Sequence, residues 1–96
     1  MDVRMLVEQM VRAMVDHPDR VRCAELEGAQ ATVLEVSVAP EDLGKVIGKR
    51  GVNADAMRRI LHAIGGKVRR RYMLEVVQLP TAAPDGEALG ADPVSA

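Results

Sequence analysis

The stretch that decides the fold is Val38-Ala39-Pro40-Glu41-Asp42-Leu43-Gly44-Lys45-Val46-Ile47-Gly48-Lys49-Arg50-Gly51. Pro40, Glu41 and Asp42 open a short helix, because proline suits the first helical turn and acids favour its positive end. That helix is expected from Glu41 to Val46 or Ile47, where Gly48-Lys49-Arg50-Gly51 interrupts it. A second helix is expected from about Val52 to Ile64. Ala54 is small at its start, Met57, Ile60, Leu61 and Ile64 form its core stripe, and Gly65-Gly66 is its stop. Two glycines three apart let the backbone turn sharply and let a phosphate approach without Cβ obstruction. The helix that follows aims free N–H groups and a positive dipole end at the same spot. Lys49 and Arg50 add mobile cations above the turn, while Val46 and Ile47 anchor the first helix and can wall an apolar groove.

Outward from this centre, residues 31–38 alternate Val33, Glu35 and Ser37 with Leu34, Val36 and Val38, the period of a half-buried strand. Residues 20–27 form a second strand, and the short turn Glu27-Gly28-Ala29-Gln30 joins the two as an antiparallel hairpin. Residues 3–15 place Val3, Leu6, Val7, Met10, Val11 and Met14 on one helical stripe. Asp2 is the expected N-cap, and Asp16-His17-Pro18 ends that helix. Residues 68–77 read as a third strand. The order is α-β-β-α-α-β. Residues 80–96 are proline-rich, acidic and poor in anything to bury, and are expected to be a disordered tail after a domain spanning 1–79.

Composition narrows the function classes. Of 96 residues, 48% are hydrophobic, yet Tyr72 is the only aromatic, which argues against modules that stack bases on sheet aromatics. Cys23 stands alone, so a disulfide framework or a multi-cysteine zinc site is excluded. No apolar run approaches a membrane span and no leader is evident, so a cytoplasmic setting is expected. The net charge of −1 conceals a segregation: residues 44–71 hold nine bases and one acid, Asp55. Such a segment is a candidate phosphate-facing surface. A nucleotide-hydrolysing P-loop is rejected, because Gly44 and Gly48 are separated by three residues and Lys49 is followed by Arg50 rather than a hydroxyl residue. His17 and His62 lie far apart, and no paired carboxylates, nucleophile–base pair or metal spacing emerges, so neither an enzyme nor a cofactor is expected.

A helix, Val46-Ile47-Gly48-Lys49-Arg50-Gly51 and a second helix, set between a hairpin and a strand, resembles a KH domain. The order α-β-β-α-α-β is similar to the bacterial type II arrangement. The stretch from Val38 to Gly51, the opening helix ending Val15-Asp16-His17-Pro18, and Ala54 and Ile60 look most like the small stand-alone KhpA-type family. The resemblance covers about residues 1–79. It implies an α+β fold with a three-stranded mixed sheet and three helices on one face. The strand at 31–38 would be central, antiparallel to its hairpin partner and parallel to the strand at 68–77.

The resemblance also implies a grip on about four unpaired nucleotides of RNA. Gly48, Lys49, Arg50 and Gly51 would contact the sugar-phosphate backbone. Val46, Ile47, Val52, Ala54 and Met57 are groove candidates, and Lys45 and Arg58 complete the RNA-contacting set. Ala54, where many KH domains carry a bulky aliphatic, and the short Gly65-Gly66-Lys67 connection both point to poor base specificity. Phosphate contacts from Lys67, Arg69, Arg70 and Arg71 could compensate, with Arg69 and Arg71 on one side of the third strand and Arg70 on the other. An RNA chaperone or post-transcriptional regulator, tied to cell shape and division, is implied. So is pairing as a homodimer or with a KhpB (Jag-like) KH-domain protein. The reading of a different class is a protein-interaction adaptor in which RNA contact is secondary, and single-stranded DNA is a third candidate ligand.

Overall fold

The computed structural model describes residues 2–79; the expected tail at 80–96 lies outside them. Helix α1 spans Val3–Arg12, strand β1 Arg22–Glu27, strand β2 Ala31–Val38, helix α2 Leu43–Ile47, helix α3 Val52–Val68 and strand β3 Arg71–Gln78. Single 3₁₀ turns sit at Pro18–Arg20, Pro40–Asp42 and Lys49–Gly51. The sheet order is β1-β2-β3, with β1 antiparallel and β3 parallel to β2. This is the α+β, α-β-β-α-α-β arrangement expected, with the parallel pair connected through α2 and α3.

Period-two patterning decides which face of the sheet is covered. Thr32, Leu34, Val36 and Val38 of β2 are buried, while the residues between them are half-buried. Val7 and Val11 of α1, Val46 of α2, and Met57 and Leu61 of α3 complete the core against that face. Helix α1 ends at Arg12, earlier than the apolar stripe suggests. Asp42 explains the path that follows. It is fully buried, and its carboxylate accepts from the Asp16 N–H at 3.2 Å and the His17 N–H at 3.0 Å. The chain leaving α1 is thereby pinned beside the start of α2, and the two N–H groups supply the partners that a buried carboxylate requires.

Two expectations about α3 are corrected. Gly65-Gly66 does not stop the helix, which continues to Val68 and ends on Arg69 in the left-handed region (φ 60°, ψ 45°). Gly65 is there for close approach instead: a Cβ on it would lie 2.2 Å from the Arg70 carbonyl oxygen. The Gly65 carbonyl accepts the Arg70 N–H at 2.9 Å, so helix end and strand start are in contact. Because β3 begins only at Arg71, Arg69 and Arg70 belong to the turn, and strand alternation does not place them. The apolar stripe is also rotated. Ala54, Met57, Leu61 and Gly65 face the sheet, whereas Ile60 is 44% exposed.

Arg70 locks this corner to the hairpin. Its guanidinium donates to Thr32 Oγ1 at 2.9 Å and to Glu27 at 2.8 Å. Gly65→Ala is expected to cost about 3 kcal/mol, because a backbone carbonyl must move to admit the methyl. Gly66→Ala, with nothing within 4 Å of the new Cβ, is expected to stabilise by about 0.5–1 kcal/mol through helix propensity. Urea denaturation of the two variants checks the opposite signs.

Candidate nucleic-acid interface

The loop between α2 and α3 is built from positive φ angles. Gly48 has φ 81°, Arg50 φ 58° and Gly51 φ 77°. At Gly48 two constraints coincide, since a Cβ there would stand 2.7 Å from Asn53 Cγ and 2.9 Å from its backbone nitrogen. At Gly51 only the backbone angle matters, because a Cβ would meet nothing within 4 Å. Three backbone bonds close the loop: Gly48 N–H to Gly44 O at 2.8 Å, Gly51 N–H to Gly48 O at 3.0 Å, and Val52 N–H to Lys49 O. The N–H groups of Lys49 and Arg50 take no part in these closing bonds.

Asn53 is a positioning residue that sequence reasoning missed. Its side-chain amide donates to the Lys45 carbonyl at 2.9 Å. It thus satisfies one of the open carbonyls at the end of α2 while its Cγ walls the Gly48 Cα. The available signal was an amide side chain two positions after the second glycine, within reach of the preceding helix end.

The expected contact residues divide into two groups. Lys49 and Arg50 are exposed, Gly48, Gly51 and Ile47 are half-exposed, and Val52 is 58% exposed beside them. Val46, Ala54 and Met57, by contrast, are at most 3% exposed and belong to the core. They form the floor beneath the loop rather than the wall of an open groove, because the helical phase turns them toward the sheet. The two outlying bases are partly neutralised. Lys45 Nζ lies 3.4 Å from Asp16, and Arg58 lies 3.4 Å from Asp55 while donating to the Leu74 carbonyl at 3.3 Å.

A shallow depression beside the loop is lined by Lys49, Arg50, Val52, Asp55, Ala56 and Arg59. Arg59 was not anticipated as a contact residue, although it falls on one helical face with Val52, Asp55 and Ala56. Among the described residues Lys49, Arg50 and Arg59 have no ion-pair partner. The surface is thus cationic with unspent donors, suited to anionic oxygens. Elsewhere, Cys23 is no nucleophile: burial first, then the charge of Glu8, pushes its thiol up to about 11, so it stays protonated at neutral pH.

A mixed three-stranded sheet backed by helices, with a two-glycine loop joining α2 to α3, defines a KH domain. The sequence profile described as "KhpA/KhpB, KH domain" matches residues 4–76, and the chain belongs to that family. It is 47% identical over 73 residues to a protein of Aquifex aeolicus named "RNA-binding protein KhpA", covering 76% of this chain and 92% of that one. The protein of that name from Halalkalibacterium halodurans is 43% identical over 75 residues, covering 78% and 99% of the two chains. The one from Streptomyces coelicolor is 44% identical over 70 residues, covering 73% and 89%. No solved structure gives a significant match. The relatives' name is that of an RNA-binding protein, not of an enzyme.

The two glycines are expected to differ in what they tolerate. Gly48→Ala combines a steric clash with a left-handed backbone and is expected to cost about 3 kcal/mol. Gly51→Ala meets only the backbone penalty, about 1 kcal/mol. Thermal melts, with amide chemical shifts of residues 48–53 as the local readout, check the difference.

Proposed function

We propose that this protein binds single-stranded RNA, gripping the sugar-phosphate backbone with the Gly48-Lys49-Arg50-Gly51 loop. The observation that carries the reading is the loop itself: two exposed cations without ion-pair partners among the described residues, above backbone amides that the loop's own bonds leave unused. Charge-assisted bonds from such donors to phosphate oxygens are stronger than neutral ones. The names of the relatives support the same ligand.

Sequence preference is low in this reading. Only Arg69 and Arg70 separate α3 from β3, so no long second lip rises to read base edges. Affinity from a single module is modest, and association raises it by effective concentration. An RNA chaperone or post-transcriptional regulator in the cytoplasm fits these properties. It would act as a homodimer or with a KhpB (Jag-like) partner, a pairing supported by the shared KhpA/KhpB family description. One specific observation favours the adaptor reading as a second role. Ile60, half-buried Ile64 and Val68 make an apolar stripe on the outer side of α3, with Ile60 44% and Val68 52% exposed.

Lys49→Asp with Arg50→Asp is expected to weaken binding to an unstructured RNA oligomer by about a hundredfold, through removal and reversal of two charge-assisted interactions. The circular dichroism spectrum and melting temperature should stay at parental values, because both side chains are exposed. In the parent, the log–log salt slope is expected at roughly −2 to −3, from three or four neutralised phosphates. Unchanged RNA affinity in the double variant would refute the reading. Ile60→Asp is expected to shift self-association measured by sedimentation, with RNA binding by the loop retained.

A further inference from the structure

Among the described residues, two that are not glycine adopt positive φ, and both are arginines: Arg50 (φ 58°) and Arg69 (φ 60°). They stand at opposite ends of α3. A left-handed position strains any residue with a Cβ, and glycine is the usual solution at a helix C-terminus. Arg50 is explained by the loop already described. Nothing in the backbone of the helix end calls for arginine at Arg69, where glycine would be unstrained. An observed outlier of this kind points to use of the side chain.

The surroundings of Arg69 show what that use is. Between the second half of α3 and the start of β3 lies a cleft whose lining includes Arg58, His62, Arg69, Arg71 and Tyr72. Arg70 is spent on structure, held by Thr32 and Glu27. Arg69 and Arg71 are exposed and have no ion-pair partner among the described residues. Arg70 between them ties this corner to the hairpin, and Arg69 and Arg71 both line the cleft beside it. The cleft also continues toward the loop. It shares Arg58 and His62 with a smaller depression that adds Asp55 and Arg59, and Asp55 and Arg59 in turn border Lys49 and Arg50. Three neighbouring depressions with shared lining residues are therefore spaced along α3. Its 17 residues span about 25 Å at 1.5 Å per residue, with cations free of ion pairs among the described residues at both ends and the Asp55–Arg58 pair between them.

We infer that Arg69 and Arg71 form a second phosphate anchor, so that a bound RNA strand is held at both ends of α3, by the Lys49-Arg50 loop and by this corner. The inference rests on the RNA reading above and extends it by naming the strand's path and far contact. Guanidinium suits this role because its planar fork pairs two donors with phosphate oxygens. A strand too short to reach from loop to corner gains nothing from the second anchor, which makes length the decisive variable.

The test compares the parent, Arg69→Gly with Arg71→Ala, Arg69→Lys, and the loop double variant against a tetranucleotide and an unstructured decanucleotide of RNA. The corner variant is expected to bind the decanucleotide about tenfold more weakly, the worth of one or two charge-assisted hydrogen bonds. Its salt slope should flatten by about 0.7 for each phosphate it no longer neutralises. Its perturbation of loop amides by the tetranucleotide should match the parent's. Its melting temperature should hold or rise by about 5 °C, since glycine relieves the left-handed strain. Arg69→Lys should keep most of the decanucleotide affinity. Parental decanucleotide affinity in the corner variant, with weakened binding in the loop variant, overturns the anchor and leaves the loop reading standing. Equal weakening for both strand lengths together with a lower melting temperature overturns it as well, by showing that the corner supports only the fold. Parental affinity in the loop variant overturns the RNA reading itself.

Discussion

No methyl group fits at Gly48. The backbone there turns through φ 81° while Asn53 fills the space a Cβ would need, and the shape of the loop follows from that constraint. Asn53 can press so closely because its amide is bonded to the Lys45 carbonyl, which closes the end of α2. Helix α2 therefore stops after five residues, and α3 starts just past Gly51. The two residues left at the bend, Lys49 and Arg50, have nowhere to point but solvent. An exposed pair of cations is thus a consequence of backbone sterics, before any charge is considered.

The other end of α3 is built on a similar economy of space. Gly65 lacks the Cβ that would strike the Arg70 carbonyl, so the helix can end hard against the strand that follows. Arg70 then reaches across to Thr32 and Glu27, tying the α3–β3 corner to the hairpin. With both ends in contact with neighbouring segments and Met57 and Leu61 packed beneath, α3 is fixed against the sheet by its inner face and exposes Arg58, Arg59 and Lys67 on the other side.

Much of this is legible in the chain alone. The alternation through Val33–Val38, the apolar stripe of α1 and the punctuation by Gly48 and Gly51 are local signals, and the elements they indicate are present, in the order and pairing expected. The failures share a cause. Gly65-Gly66 reads as a helix stop by local propensity, yet the helix passes through it because Gly65 answers a contact with Arg70. Ile60 reads as core by periodicity, but the sheet meets α3 on the side of Ala54, Met57 and Leu61. Val46, Ala54 and Met57 are groove candidates by the family resemblance, and the helical phase of this chain places them at most 3% exposed, in the core.

The succession of elements, the position of the two-glycine bend and the concentration of bases between residues 44 and 71 are properties of the sequence. Those depend on sterics, hydrogen bonding and periodicity within a few neighbouring residues. Which bases remain available is a property of the folded molecule alone. Arg70 is taken by Glu27, 43 positions away, and Lys45 is drawn to Asp16, while Lys49, Arg50, Arg59, Arg69 and Arg71 have no ion-pair partner among the described residues. Charge neutralisation falls off over a few ångströms of space rather than along the chain, so it is settled by which distant segments folding brings together.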